Sequence, residues 1–129
     1  TFQSAIQNGV DCIMVSNVTA PDVTGDDTPC SLSNTMITEV LRGTLGFSGI
    51  VMTDMLDESV VTGKYSSAQA AVAAIQAGAD IVLCPADYKE AYQGVMDAVS
   101  SGTITEERIQ ESLYRIYRVK YKNTLDNIQ

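Results

Sequence analysis

Residues 49–59 read Gly-Ile-Val-Met-Thr-Asp-Met-Leu-Asp-Glu-Ser, an apolar run that leads straight into carboxylates. The run predicts a short buried strand that ends at Asp54. In a parallel sheet the carboxyl ends of the strands open onto the ligand crevice, so this position predicts that Asp54 faces a site. The alternative is that Asp54 caps the following helix or closes a tight turn, and the stretch alone does not separate the two.

Two other glycines are followed by strand-like apolar runs, Val10–Ser16 after Gly9 and Ala79–Pro85 after Gly78. Apolar residues at helical spacing occur before, between and after the three runs, over Phe2–Ile6, Met36–Leu45, Ala70–Ile75, Tyr88–Val99 and Ile109–Tyr117. A capping box from Ser66 to Gln69 precedes the third of these helices, and Thr103 or Thr105 is the expected cap of the last. This alternation predicts an α/β fold, a parallel sheet with helices packed over it. Because three strands make a thin sheet, we expect a piece of a larger fold.

A long polar segment, residues 17–33, follows the first predicted strand and contains Pro21, Gly25 and Pro29. Loops of this length are uncommon in compact domains and are usually functional. The segment follows the carboxyl end of a strand, so we expect it on the same edge of the sheet as Asp54.

The composition is that of one globular unit, with 129 residues of which 45% are hydrophobic. Sixteen acidic residues outnumber eight basic ones and give a net charge of -8, which argues against a nucleic-acid partner. The basic residues near the end of the chain are predicted to offset the dipole at a helix C-terminus; they are Arg115, Arg118, Lys120 and Lys122.

Cys12, Cys30 and Cys84 show no CxxC spacing and the chain has no His, so we expect neither a metal site nor thiol catalysis. Cys12 and Cys84 lie in apolar runs and are predicted to be buried. No stretch of about 18 apolar residues occurs, so no membrane-spanning segment is expected. Free cysteines are typical of a reducing compartment, whereas a chain that begins at Thr1 leaves room for an export signal, so cytoplasmic and exported locations both stay open.

A receiver domain of two-component signalling also carries a phospho-accepting Asp at the end of a mid-chain strand. Its chemistry needs an acidic pair after the first strand, a hydroxyl after the fourth and a Lys after the fifth. Here Asp11 precedes its strand, residues 81–86 end without Ser or Thr, and no Lys lies between Lys89 and Lys120. The receiver interpretation is therefore the weaker one, judged on chemistry rather than fold.

Several segments, in order along the chain, carry a resemblance: Val15–Val18, Thr28–Ser33, Val40–Asp54, Ala77–Leu83, Pro85–Asp87, Ser101–Ile104, Glu107–Ile109 and Arg115–Ile116. Together they resemble the bacterial β-N-acetylhexosaminidase branch of glycoside hydrolase family 3. No single segment is decisive, but in register they cover essentially the whole chain.

The resemblance implies that residues 1–129 are the C-terminal part, about three βα units, of a TIM (β/α)8 barrel. It implies a retaining glycosidase that removes terminal β-linked N-acetylglucosamine, or related β-glycosides, with no cofactor. Asp54 stands at the position of the nucleophile. Thr53 or backbone amides after the strand are expected to donate hydrogen bonds to it. The general acid/base implied by the family, a His-Asp dyad, would lie upstream of Thr1.

Three residues depart from the family pattern: Asn17, where relatives often have His, and Met55 and Glu58. Asn17 is a candidate sugar-binding amide or a plain strand-end residue. Glu58 is a candidate substrate-binding carboxylate or a residue in the first turn of a helix, and Asp57 has the same two interpretations. The choice of sugar is therefore left open.

The expected partner is a carbohydrate, and a second hypothesis makes the parent protein a degenerate family member that binds glycans or a partner without catalysis. Because the chain has no His, we expect residues 1–129 alone to be inactive. A partial barrel exposes sheet edges and an apolar helix face, so we expect the isolated chain to self-associate through them.

Overall fold

A computed structural model describes residues 1–122 of the chain. The strands are β1 (Cys12–Val15), β2 (Ile50–Met55) and β3 (Ile81–Leu83). The α-helices are α1 (Phe2–Gln7), α2 (Pro21–Thr24), α3 (Ser59–Thr62), α4 (Ser67–Ala77), α5 (Tyr88–Ser100) and α6 (Glu106–Lys120). A 3₁₀ turn (Cys30–Leu32) and a π-helix (Thr35–Thr44) stand between β1 and β2. Within this part of the chain no helix is long and apolar enough to cross a bilayer.

The strands form one parallel sheet in the order β1-β2-β3, with β2 at its centre, as the sequence predicted. Cys12 pairs with Ile50 and Val15 with Thr53 across the first pair of strands. Because the strands run the same way, their ends meet at two edges. The connections 16–34, 56–66 and 84–87 form the carboxyl edge, and the connections 8–11, 45–49 and 78–80 form the amino edge.

β2 ends at Met55, one residue later than predicted, so Asp54 lies inside the strand. The pairing of β2 with β3 is irregular just before this end. There the Thr53 hydroxyl accepts a hydrogen bond from the Leu83 N–H at 3.0 Å, and the Leu56 N–H donates to the Leu83 carbonyl at 3.0 Å. These two bonds keep the chain paired past Asp54, which a pattern of apolar residues does not show.

The core lies between the sheet and the helices that cover it. Val51 of β2, Ile37 of the π-helix, Val61 of α3 and Ala74 of α4 are fully buried within it. Burying a side chain of the size of valine or isoleucine contributes roughly 1.5–3 kcal/mol. The central strand is therefore the element that the core fixes most firmly, and it is the strand that carries Asp54.

The helix predicted over 36–45 forms as a π-helix rather than an α-helix. At its end the Leu45 N–H donates to the Val40 carbonyl, five residues back, at 2.9 Å. Ile37 and Leu41 are buried, as the pattern predicted. Apolar side chains four residues apart face the core in either type of helix, so their spacing does not distinguish the two.

The helix predicted over Tyr88–Val99 forms as α5, and large residues of its pattern lie on the exposed surface. Tyr88 and Tyr92 are 69% and 67% exposed, whereas Ala91 is buried. A Cβ added at Gly94 would lie only 2.5 Å from the Cβ of Ala68 on α4. The two helices pack through small residues, and this close approach leaves no room between them for a tyrosine ring.

The connection 17–33 is more structured than a predicted loop, because it contains α2, the 3₁₀ turn and an antiparallel bridge between Thr19 and Pro29. Within it, Asp26 Oδ1 accepts a hydrogen bond from the Thr28 N–H at 2.9 Å, and this bond lowers the pKa of the Asp26 carboxyl. The connection lies at the carboxyl edge, as expected from its place after β1.

Both ends of α4 form at the residues that the sequence predicted. Ser66 Oγ accepts a hydrogen bond from the Gln69 N–H at 3.2 Å, and Gln69 Oε1 accepts one from the Ser66 N–H at 2.9 Å. At the other end Gly78 takes the left-handed conformation with φ 111°. A residue with a Cβ is strained in that conformation, so glycine ends the helix here.

We expect Ser66→Ala to lower the free energy of unfolding by about 1 kcal/mol, because the first turn of α4 loses a hydrogen-bond acceptor. Urea unfolding followed by circular dichroism measures the change. Ser4→Ala in α1 is the control, since the Ser4 hydroxyl makes no hydrogen bond in the described part of the chain, and its effect should stay within about 0.5 kcal/mol. Equal losses in the two variants would contradict the capping role.

Candidate active site at the carboxyl edge

Asp54 is half-buried near the end of β2, between the buried Thr53 and the exposed Met55. Its Oδ1 accepts a hydrogen bond from the Met55 N–H at 2.9 Å. Among residues 1–122, no Lys or Arg forms an ion pair with Asp54. The carboxylate is therefore neither packed into the core nor paired with a cation there, and Oδ2 is left for a ligand.

Either the Thr53 hydroxyl or a backbone amide was expected to donate a hydrogen bond to Asp54, and the structure shows the backbone amide of Met55 as the donor. The Thr53 side chain is fully buried, and its hydroxyl accepts a hydrogen bond from β3 instead. Alternation along a strand explains this, because successive side chains point to opposite faces. Thr53 is thus a packing residue, and the Met55 N–H is the group that donates a hydrogen bond to Asp54.

Asn17 follows β1 and is only 2% exposed. Its Nδ2 donates hydrogen bonds to the Met55 carbonyl at 2.7 Å and to Glu58 Oε2 at 2.9 Å. Its Oδ1 accepts one from the Ser31 hydroxyl at 2.6 Å. The structure therefore brings two of the predicted site residues into one hydrogen-bonded group, which we call the Asn17 network: Asn17, Ser31, Met55 and Glu58.

Glu58 lies directly before α3 rather than in its first turn. Its backbone carbonyl accepts hydrogen bonds from the Val61 and Thr62 N–H groups, both at 2.9 Å, while its side chain turns to Asn17. Asp57 is exposed, and its side chain makes no hydrogen bond or ion pair within residues 1–122. Of the two neighbouring carboxylates, only Glu58 is tied to the strand ends.

Ser31 and the Met55 peptide group are members of this site that the sequence did not indicate. Ser31 is fully buried in the 3₁₀ turn, fourteen residues from Asn17 along the chain. Nothing in the sequence distinguishes a serine that forms a buried hydrogen bond from other serines of a polar segment. The length of the segment 17–33 predicted a functional connection, but it did not indicate which of its residues are involved.

A second polar group lies at the amino edge, where Asp80 precedes β3 with its side chain fully buried. Its oxygens lie 2.7 Å from Arg42 Nη2, 2.9 Å from Arg115 Nη1 and 3.8 Å from Arg108 Nη1. They also accept hydrogen bonds from the Ser112 hydroxyl at 2.6 Å and the Val51 N–H at 3.0 Å. We call Asp80 and its three arginines the arginine cluster.

The arginine cluster corrects the interpretation of Arg115 as a cation that offsets the dipole of α6. Arg115 binds Asp80 instead, and Arg118 donates to the Ser48 carbonyl at 3.1 Å. Burial lowers the pKa of the Arg42 guanidinium, Asp80 opposes that shift, and Arg115 adds to it. The cluster lies at the edge opposite Asp54, and through Asp80 it joins the π-helix, β2 and α6.

Cys84 is exposed, which corrects its assignment as a buried hydrophobe. It follows β3 with φ 42°, so the chain turns there and the side chain leaves the strand. Cys30 is buried, and burial raises the pKa of its thiol. Within residues 1–122, no three His, Cys, Asp or Glu side chains come together as metal ligands would.

Besides clefts of about 300–310 Å³ beside Arg108, two clefts of slightly larger volume lie away from Asp54. One, of about 330 Å³, is at the amino edge beside Asp11, Phe47 and Arg118. The other, of about 320 Å³, is mostly apolar and runs along β1 beside Met14 and Met36. The second cleft agrees with the exposed apolar surface that the sequence predicted for a partial barrel.

Comparison with known proteins connects this arrangement to a family. The family model described as "Glycosyl hydrolase family 3 N terminal domain" matches residues 1–119. An "uncharacterized secreted glycosyl hydrolase" of Arthroderma benhamiae is 34% identical over 121 residues, covering 89% of this chain and 33% of that protein. A "beta-hexosaminidase" of Chromobacterium violaceum is 36% identical over 82 residues, covering 64% of this chain and 22% of its own length.

The chain is also similar to a solved structure of a glycoside hydrolase family 3 β-N-acetylglucosaminidase from Paenibacillus sp. FPU-7. The two superpose with a TM-score of 0.91 at 38% sequence identity, over 97% of this chain and 24% of the other. In each of these three comparisons the chain spans a third or less of the relative's length.

Proposed function

Since the chain belongs to the family of glycosyl hydrolase family 3 N-terminal domains, we propose that it is part of a retaining glycosidase. Its substrates are terminal β-linked N-acetylglucosamine residues or related β-glycosides. The observation that carries the proposal is the position of Asp54, a half-buried carboxylate at the carboxyl edge of the central strand with no cation bound to it among residues 1–122. Because the matching family is one of glycosyl hydrolase domains, the hypothesis of a receiver domain is rejected.

The predicted fold class is confirmed, because the chain is an α/β unit of a TIM (β/α)8 barrel with three parallel strands. In such barrels the active site lies at the carboxyl ends of the strands, and the opposite end serves stability. Asp54 and the Asn17 network lie at the carboxyl ends of the strands, and the arginine cluster lies at their amino ends. We propose that residues 1–129 are the C-terminal portion of one such barrel domain.

Asp54 acts as the nucleophile in this proposal. One of its oxygens attacks the anomeric carbon, the bond from that carbon to the leaving oxygen breaks, and a general acid gives the leaving oxygen its proton. Water then attacks the same carbon, the ester bond to Asp54 breaks, and the same acid/base group takes the proton of the water. The Met55 N–H, 2.9 Å from Oδ1, helps to hold the carboxylate in place.

This chain does not supply a histidine as the general acid/base, because its sequence contains no histidine. We propose that a His-Asp pair elsewhere in the complete protein fills this role, as the family resemblance implies. The preference for N-acetylglucosamine is supported by the name of the Paenibacillus relative, and the broader assignment to a β-hexosaminidase is supported by the name of the Chromobacterium relative. No cofactor enters either step.

We expect the complete protein to hydrolyse an aryl N-acetyl-β-D-glucosaminide with release of the β-anomer first, and the 129-residue chain alone to give no turnover. The reason is that the nucleophile lies in this chain and the acid/base does not. Release of the aryl alcohol measures the rate, and proton NMR identifies the first anomer. Turnover by the isolated chain, or the α-anomer as first product, would contradict the proposal.

A second candidate function is binding of glycans without catalysis, which needs no general acid/base, and this chain contains no histidine to act as one. The sequence of the complete protein separates the two candidates. A His-Asp pair on a loop before this chain supports the enzyme. Its absence, together with binding of N-acetylglucosamine but no turnover, supports the binding protein.

A further inference from the structure

The Asn17 amide has almost no capacity left for a substrate. Both N–H bonds of Nδ2 are used within the protein, on the Met55 carbonyl and Glu58 Oε2, and Oδ1 already accepts the Ser31 hydroxyl. An amide of this kind offers two donors and an acceptor oxygen with two lone pairs. With 2% of the residue exposed, a sugar hydroxyl has no free donor to meet.

Glu58 is in the opposite situation. Oε2 is fixed by Asn17, whereas Oε1 accepts no hydrogen bond from the residues that the structure describes. Glu58 is exposed and lies in the connection that follows β2, four residues after Asp54. A carboxylate oxygen that is held in place but has free lone pairs is a ready acceptor for a sugar hydroxyl.

Met55 links the network to Asp54. Its carbonyl accepts the Asn17 donor at 2.7 Å, and its N–H donates to Asp54 Oδ1 at 2.9 Å. Asn17 itself is anchored from the 17–33 connection through Ser31. The network therefore ties the end of β1 to the segment that carries both carboxylates.

Resting on the proposed glycosidase function, we propose that Asn17 is a positioning residue. It fixes the Glu58 carboxylate at the carboxyl edge, where Asp54 also lies, and Glu58 rather than Asn17 accepts a hydrogen bond from a hydroxyl of the bound sugar. The ligand class is thus a polyhydroxylated sugar bound through an anionic acceptor. A fixed side chain binds better than a free one because less rotamer freedom is lost on binding.

The test uses the complete enzyme and an aryl N-acetyl-β-D-glucosaminide. We expect Asn17→Ala and Glu58→Ala each to lower kcat/KM about tenfold, mainly by raising KM, because a contact present in both the ground state and the transition state is lost. We expect the double variant to lie within about threefold of Glu58→Ala, since Asn17 acts through Glu58. Asn8→Ala is the matched control: Asn8 donates only to the Ser4 carbonyl at the opposite edge.

Each other outcome is decisive. Losses that multiply in the double variant would show that Asn17 acts independently of Glu58 and would overturn the inference. If Asn17→Ala does not fold, Glu58→Ala alone carries the test, and an unchanged KM there overturns it. If Asp54→Asn is inactive while both single variants match the wild type, this inference fails and the proposed function stands. If Asp54→Asn keeps full activity, the proposed function itself fails.

Discussion

Replacing Asp54 by asparagine is expected to lower kcat of the complete enzyme by about 10³-fold or more, with little change in the fold. The amide keeps the shape of the carboxylate but lacks the charge that attacks the anomeric carbon, so the glycosyl-enzyme no longer forms. Losses of this size or larger follow removal of a nucleophile in enzymes that act through covalent intermediates. The measurement is the rate of aryl glycoside hydrolysis under saturating substrate.

Asp57→Asn is the matched control, because Asp57 is an exposed carboxylate three residues after Asp54 whose side chain makes no hydrogen bond in the described residues. Its kcat should stay within about threefold of the wild type. A 2-deoxy-2-fluoroglycoside inactivator should become bonded to the peptide that contains Asp54, identified by mass spectrometry. Label on Asp57 or Glu58, or a fully active Asp54→Asn enzyme, would remove Asp54 from the mechanism.

Replacing Asp80 by alanine is expected to destabilise the protein by about 3–5 kcal/mol. The change leaves three partly buried guanidinium groups without their shared counter-ion, and an unpaired buried charge costs far more than an exposed one. Arg42 is the most affected, since its side chain is only 14% exposed and its Nε already has no hydrogen-bond partner among residues 1–122. Urea unfolding followed by circular dichroism gives the loss in free energy.

Asp11→Ala serves as the control for Asp80. Asp11 pairs with Lys122 at 3.3 Å at the same edge, but both side chains are more than half exposed. Exposed pairs of this kind contribute about 0–1 kcal/mol, so this variant should be nearly as stable as the wild type. If the two variants lose equal stability, the burial of the arginine cluster does not have the energetic role assigned to it.

The parts of the fold that depend on apolar periodicity and local caps were predictable from the sequence. The three parallel strands and the capping box at Ser66 are the clearest cases, because both are set by residues close together in the chain. The π-helix was not predictable, since the burial of Ile37 and Leu41 satisfies either type of helix. The exposure of Tyr88 was not predictable either, because the contact between α4 and α5 depends on small residues.

The position of Asp54 was predictable to within one residue, since a strand that ends in a carboxylate marks the carboxyl edge. The partners of Asn17 and Asp80 were not, because they lie between 14 and 41 residues away along the chain. Such contacts depend on how the strands are brought together. A sequence shows which polar residues are available, and only the folded chain shows which of them meet.

The arginine cluster also bears on how such a protein changes over evolutionary time. The cluster holds the strands together at the amino edge. Residues in the connections at the carboxyl edge can therefore change without destabilising the fold. The Asn17–Glu58 pair lies at the other edge and shares no hydrogen bond with the arginine cluster. Under the proposed function, a change in this pair would alter sugar binding while the buried ion pairs of the cluster keep the fold stable.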